Sequence, residues 1–406
     1  MNTMEKEYAK LVIKVGVALK EGQPLFIKTP YESYPFAQLL GEVAYDQGAS
    51  LVKIELDDLK LLNKRIANQT AQQLKEIPSY QKNIDYEMMV KDWAYIRIDN
   101  TENRHFLEGV DAEKLTSYSS ALRENSKEYA LNRMRNESSW CVICAPGEKW
   151  AKDVLGEDGT VNELWDVLKP ILKLDQKDVI ESWEKHNQML KQRGSILNNL
   201  KIESLHFTSS KTDLTIGLIE TSIWEGGGAI LKDGRAFMPN IPTEEVFTTP
   251  HRLKVDGYVT TTRPVSVLDS NVENLKLTFK DGKVIDAKAE IGDEIIKRFL
   301  EIDDQARYLG EVALVDQDSA ISKSNKIFSS ILYDENASCH IALGSGYPSC
   351  LSNAHLLSSD QQLMEVGCNR SLVHTDFMIG SDDLDIVATT FSGDKVKIME
   401  KGRFVI

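Results

Sequence analysis

The chain has 406 residues, 42% of them hydrophobic and 27% charged, with 62 acidic against 48 basic residues and a formal net charge of −14. That composition is ordinary for globular protein, and the length sets an expectation of two to three domains that can bury cores without staples, so a bound metal would serve chemistry rather than folding. The acidic balance, with no block of five or more Lys/Arg, argues against nucleic acid as a default partner.

In chain order, the opening MNTMEKEYAKLVIKVG is interrupted by Glu5, Lys6, Glu7 and Lys14, and reads as an amphipathic helix rather than a signal peptide. No run approaches the ~18 apolar residues of a membrane helix. Pro24-Leu25-Phe26-Ile27 reads as a strand, followed by a helix from about Tyr34 to Gln47 and a second strand from Ser50 to Ile54. Further strands are expected at Trp93 to Ile98 and Trp140 to Ile143, with helical stretches between. This alternation predicts an α/β domain with a mainly parallel sheet over residues 1–199, closed by a long charged helix from about Gln176 to Asn199.

From about Ile202 the pattern turns to β. Asp233-Gly234 and Asp281-Gly282 each separate two strand-like runs, a strong hairpin signal because Gly accepts a positive φ cheaply. Helices are expected near Asp293 to Leu300 and Ser358 to Glu365. Residues 200–406 are therefore expected to form an α+β domain rich in antiparallel hairpins. Five cysteines, an odd and sparse count, point to a reducing compartment and a cytoplasmic protein.

Four segments of that second half can carry chemistry. In Ser371-Leu372-Val373-His374-Thr375-Asp376-Phe377-Met378-Ile379, His374 and Asp376 share a strand face and can chelate a borderline metal; the bland alternative is a His–Asp pair at a sheet edge. In Leu309-Gly310-Glu311-Val312-Ala313-Leu314-Val315 a carboxylate opens a buried-looking strand, costly unless it is paired, metal-bound or able to reach solvent. Asn240-Ile241-Pro242-Thr243-Glu244-Glu245-Val246-Phe247-Thr248-Thr249-Pro250 is extended, so only one of Glu244 and Glu245 can face a given site, and spacing does not choose between them. In Ser338-Cys339-His340-Ile341-Ala342-Leu343-Gly344-Ser345-Gly346-Tyr347, His340 lies in an apolar strand, and Tyr347 can return toward it across the Gly-Ser-Gly turn. Taken singly, each segment also fits a structural role. Cys141-Val142-Ile143-Cys144 reads as buried structural thiols, and Gly226-Gly227-Gly228 as a turn or a close backbone approach. His355 has no partner at chelating spacing. Asp382, Asp383 and Asp385 lie close to the metal strand without a assigned role. No P-loop, strand-borne G-x-G-x-x-G, G-x-S-x-G or H-E-x-x-H is present, which disfavours nucleotide binding by the first half and removes the serine-hydrolase elbow and the usual single-zinc helix.

Together, N-I-P-T-E-E-V-F-T-T-P at 240–250, L-G-E-V-A-L-V at 309–315, A-S-C-H-I-A-L-G at 337–344 and H-T-D-F-M-I-G at 374–380 resemble the aminopeptidase T, AmpS and PepS family of metalloaminopeptidases. The resemblance extends over most of the chain and is dense after about residue 220; it is weakest between Tyr347 and Gly367. It implies a two-metal centre held by Glu245, Glu311, His340, His374 and Asp376, with Glu245 chosen over Glu244 and Tyr347 beside the substrate. It also implies homodimers that release N-terminal amino acids from peptides with a free N-terminus. Such a site would take two divalent ions per chain (zinc, cobalt or magnesium) and hydrolyse amides through a water activated by both. A carboxylate of Glu245 or Glu311 would act as base, and Tyr347 as oxyanion donor. Hydrolysis of a non-peptide amide or ester, and a catalytically silent metal-binding scaffold, are the competing readings.

Overall fold

The computed structural model describes residues 3–103, 106, 109–268 and 270–406, apart from the Ala112 side chain. It divides into two compact units, residues 1–183 with 228–242 and residues 184–227 with 243–406.

In the first unit four parallel strands lie in the order Val52–Asp57, Leu25–Pro30, Ala94–Ile98, Trp140–Ile143. Parallel neighbours need crossover connections, and the helix Tyr34–Asp46 supplies the first of them. The inner strand Leu25–Pro30 is buried at all but one position, the pattern of a sheet covered on both faces. Phe26, Met88, Trp93, Tyr95 and Tyr129 pack into one aromatic-rich cluster. Helix starts use local chemistry. At Thr160 the hydroxyl accepts from the Glu163 N–H at 3.3 Å, and the Glu163 carboxylate accepts from the Thr160 N–H at 3.0 Å.

The second unit holds a small two-stranded sheet, Val265–Val267 with Ser270–Val272, and two large antiparallel sheets. The larger has eight strands in the order Lys283–Lys288, Lys276–Lys280, Pro250–Thr260, Thr212–Leu218, Ile202–Ser209, Asp385–Thr390, Lys395–Glu400, Arg403–Phe404. The smaller has five, in the order His374–Met378, His340–Gly344, Leu309–Val315, Glu245–Thr248, Glu225–Gly226. Alternation along the strands decides what each face does. Val246, Val312, Leu314, Ile341, Leu343 and Phe377 of the smaller sheet join one apolar core with Leu205, Phe207, Leu214, Ile216 and Ile386 of the larger. The intervening positions, among them Glu245, Glu311, His340, His374 and Asp376, project from the opposite face.

The expected class is observed: a parallel α/β half followed by an antiparallel α+β half. Both Asp-Gly pairs turn hairpins, Ala229–Ile230 with Ala236–Phe237 and Lys276–Lys280 with Lys283–Lys288. At the second, Asp281 and Gly282 both have positive φ, as the tight hairpin turn requires. Among the described residues no helix is long and apolar enough to cross a membrane.

Candidate metal centre

The strand Leu309–Val315 is buried along its whole length, and Glu311 is its one charged residue, 4% exposed. Just before it the register slips between Leu309 and Glu311, at Gly310. A Cβ at Gly310 would lie 2.3 Å from the Ser345 carbonyl oxygen, so a side chain there would push the neighbouring loop away. Across the sheet Glu311 pairs with Ala342, which pairs in turn with Asp376. Gly344 pairs with His374, and Ala313 with His340. Small residues thus separate the functional ones, leaving room on this face for the longer acid and imidazole side chains.

These side chains converge. His340 Nε2 lies 3.1 Å from Glu245 Oε2, and His374 Nε2 lies 3.2 Å from Glu311 Oε2 and 3.5 Å from Asp376 Oδ1. Two donor sets result, Glu245–Glu311–His340 and Glu311–His374–Asp376; within each, one donor atom per residue lies within 4.8 Å of the others, and Glu311 belongs to both. Each imidazole is oriented from behind. His340 Nδ1 donates to the Ser338 carbonyl at 3.2 Å and His374 Nδ1 to the Ser345 carbonyl at 2.7 Å, leaving both Nε2 atoms toward the carboxylates.

The site is electrostatically unfinished. Among the described residues no lysine or arginine forms an ion pair with the three carboxylates; their near partners are the two histidines. Burial, with Asp376 and Glu245 nearby, pushes Glu311 up to about 6 despite His374. Burial alone would lower His340, but Glu245, Asp376 and Glu311 outweigh it and raise the imidazole to about 10. His374 is raised well above its usual range by Asp376 and Glu311, again against burial. Asp376 Oδ1 is buried with no hydrogen-bond partner. An excess of buried carboxylate oxygen, one oxygen unpartnered, and two imidazoles presenting Nε2 is a donor set that suits divalent cations.

Glu245, Glu311, His340, His374, Asp376 and Tyr347 come together here. The Glu244/Glu245 ambiguity is resolved by geometry: Glu245 faces His340, whereas Glu244 Oε2 lies 3.5 Å from His186 Nε2. Tyr347 differs from expectation in its partner. Its hydroxyl lies 3.2 Å from His374 Nε2, because its backbone is tied to Thr249 rather than folded back on His340. The Thr249 hydroxyl accepts from the Tyr347 N–H at 2.9 Å and donates to its carbonyl at 3.0 Å. Phe247 meets the Tyr347 ring edge-on at 5.7 Å between centroids.

Cys141 and Cys144 are buried and in no disulfide, and Gly226 is a close approach, where a Cβ would lie 2.6 Å from the Val246 side chain. His355 is in neither donor set, and Asp383 and Asp385 are engaged elsewhere, with Ser210 and Ser381 and with Lys397 and Lys401. Sequence reading missed His186, Glu335 and Asn336. His186 donates from Nε2 to the Thr243 carbonyl at 2.8 Å, and the buried Asn336 side chain accepts from the Glu244 N–H at 2.7 Å. No spacing rule connects His186 with Thr243 or Asn336 with Glu244, 57 and 92 positions apart.

Comparison with known proteins identifies the family. The family model described as thermophilic metalloprotease (M29) matches residues 1–404. Aminopeptidase 2 of Geobacillus stearothermophilus is 37% identical over 410 residues, covering 100% of this chain and 99% of its own. Aminopeptidase T of Thermus aquaticus is 36% identical, covering 98% of this chain and 97% of its own. The solved structure of wild-type AmpT from Thermus thermophilus superposes with a TM-score of 0.91 at 33% identity, covering 99% of each chain. The chain belongs to the thermophilic metalloprotease family M29.

Proposed function

We propose that this site removes N-terminal amino acids from peptides with two divalent ions, one in each donor set, and with Glu311 shared between them. The chain is a metalloaminopeptidase. The observation that carries the two-ion reading is the overlap of Glu245–Glu311–His340 and Glu311–His374–Asp376 at one carboxylate. A carboxylate has two oxygens and can serve two cations at once. The mixed imidazole and carboxylate donors suit zinc or cobalt, with magnesium the harder alternative.

Divalent ions held here would acidify a water molecule and polarise the scissile carbonyl. The protein groups do the rest. A carboxylate of the Glu245/Glu311 pair takes the water proton and passes it to the leaving amine. Tyr347 donates its hydroxyl to the oxyanion; in the metal-free protein burial together with Glu311, Asp376, Glu335 and Glu245 raises the phenol well above its usual range. The sheet holds both imidazoles through the Ser338 and Ser345 carbonyls, so the donors are set before substrate arrives.

None of the five cysteines is in a disulfide, which suits the reducing cytoplasm proposed for this protein. The homodimer is proposed from the resemblance to aminopeptidase T, AmpS and PepS. The activity is tested by chelating the protein, restoring zinc, cobalt or magnesium, and assaying aminoacyl-anilides beside their N-acetylated counterparts. Turnover of the free-amine substrates alone, and only with metal, is expected. Equal cleavage of the blocked substrates would remove the aminopeptidase assignment.

A further inference from the structure

Glu245 is the first residue of its strand, and the ladder with the central strand ends at the Glu245–Val315 pair. On the other side only Val246 and Phe247 are paired. The peptide group joining Thr243 to Glu244 therefore lies outside both ladders. Thr243 and Glu244 are nevertheless buried, so that group needs partners for both its C=O and its N–H.

Two distant side chains supply them. His186, from the helix Val179–Leu200, donates from Nε2 to the Thr243 carbonyl at 2.8 Å. Asn336 accepts from the Glu244 N–H at 2.7 Å through Oδ1. The carbonyl and the N–H belong to one planar unit, so one buried side chain holds each edge of it. Asn336 is itself fixed. Its Nδ2 donates to the Leu332 carbonyl at 2.9 Å, so its amide satisfies both partners in one orientation only. The helical turn Ile331–Asp334 that carries this carbonyl is tied down in turn, with Asp334 accepting from the Phe328 and Ser330 N–H groups at 2.9 and 3.1 Å.

The tilt of this one peptide has a consequence for the metal centre. Successive side chains of an extended chain leave on opposite faces. Held as it is, the segment sends Glu244 to His186, at 3.5 Å, and Glu245 to His340, at 3.1 Å. Rotation of the plane would carry the Glu245 carboxylate off that line.

We propose that His186 and Asn336 are positioning residues that clamp the Thr243–Glu244 peptide and so aim Glu245 into the Glu245–Glu311–His340 donor set. This assignment deepens the two-ion reading given above and rests on it. The clamp acts on one ion. His374 and Asp376, in the second set, stand on a different strand, which the clamped peptide does not touch.

The test uses the full-length protein, stripped with a chelator and titrated with cobalt while the metal absorption bands are followed. The unaltered protein is expected to show two binding steps. Asn336→Ala should weaken one step by ~10- to 100-fold, the scale for groups that orient a metal ligand, and leave the other unchanged. In the metal-free state its hydrogen exchange across residues 240–250 should quicken. Leucine p-nitroanilide turnover should fall through kcat more than KM at limiting cobalt, and recover with excess cobalt. His186→Leu should behave likewise, whereas His186→Gln, whose amide can still donate to the Thr243 carbonyl, should recover most of the affinity. The His186 pair provides the reading if Asn336→Ala does not fold. Two unchanged cobalt steps, equal weakening of both, or a His186→Gln protein as impaired as His186→Leu overturns the assignment. A single cobalt step in the unaltered protein overturns the two-ion reading itself.

Discussion

The Glu245 carboxylate reaches over the central strand of the five-stranded sheet to meet His340, Oε2 to Nε2 at 3.1 Å, although their own strands are not neighbours. On that central strand His340 pairs with Ala313 and Glu245 with Val315, so the contact crosses it on a diagonal. The contact makes His340 a member of only one donor set, while His374 belongs only to the other.

Single substitutions should therefore separate the two ions. His340→Ala and His374→Ala are each expected to weaken one ion by ~100-fold or more while keeping the other, and Glu311→Gln to lose both. Hydrolysis should be abolished in all three with the circular dichroism spectrum unchanged. Metal analysis after equilibrium dialysis checks this, and undiminished turnover by His340→Ala would remove it from the site.

Tyr347→Phe deletes the oxyanion donor but no metal donor. The expected result is a fall in kcat of ~100- to 1,000-fold, with KM and metal content nearly unchanged. A loss of bound metal instead would mean that the 3.2 Å contact with His374 chiefly supports that ligand.

Metal uptake should release protons. In the metal-free protein His340 is raised to about 10 and His374 is also raised, so both imidazoles are protonated at pH 7. Each has to lose its proton to bind an ion, so affinity should climb with pH until the imidazoles deprotonate unaided. The same shifts act on folding. The His340 shift stabilises the metal-free fold fully below the unfolded-state pKa of ~6.5 and is lost as pH rises through about 10, and the raised His374 acts in the same direction. Calorimetry in buffers of different ionisation enthalpy measures the proton release, and binding at pH 7 with none would contradict these charge states.

Gly344→Ala tests the backbone beneath the site. Gly344 has a φ of +113°, and a Cβ there would lie 2.1 Å from the Val373 carbonyl oxygen, next to His374. Unfolding in urea should show a loss of ~1–3 kcal/mol, with metal affinity falling alongside because the His374 strand is pushed outward. Unaltered stability and affinity would show that the two strands separate without cost.

Much of this architecture is legible locally. The Asp281-Gly282 turn, the apolar Leu309–Val315 run and the i, i+2 relation of His374 and Asp376 all depend on near neighbours in the chain, and each is found as expected. The convergence is not local. Nothing near Glu311 indicates that Ala342 separates it from Asp376, and His186, Glu335 and Asn336 reach the site through contacts that only the folded sheet creates. Tyr347 shows the limit within a single segment. Its short Gly-Ser-Gly turn suggested His340, but Thr249, 98 positions away, ties it beside His374.

Metal stoichiometry measured against turnover tests the central claim most directly. The chelated protein should be inactive, and titration with zinc or cobalt should restore leucyl-anilide hydrolysis with an end point at two ions per chain, as two donor sets sharing Glu311 require. Full activity in the stripped protein, or an end point at one ion, would contradict it.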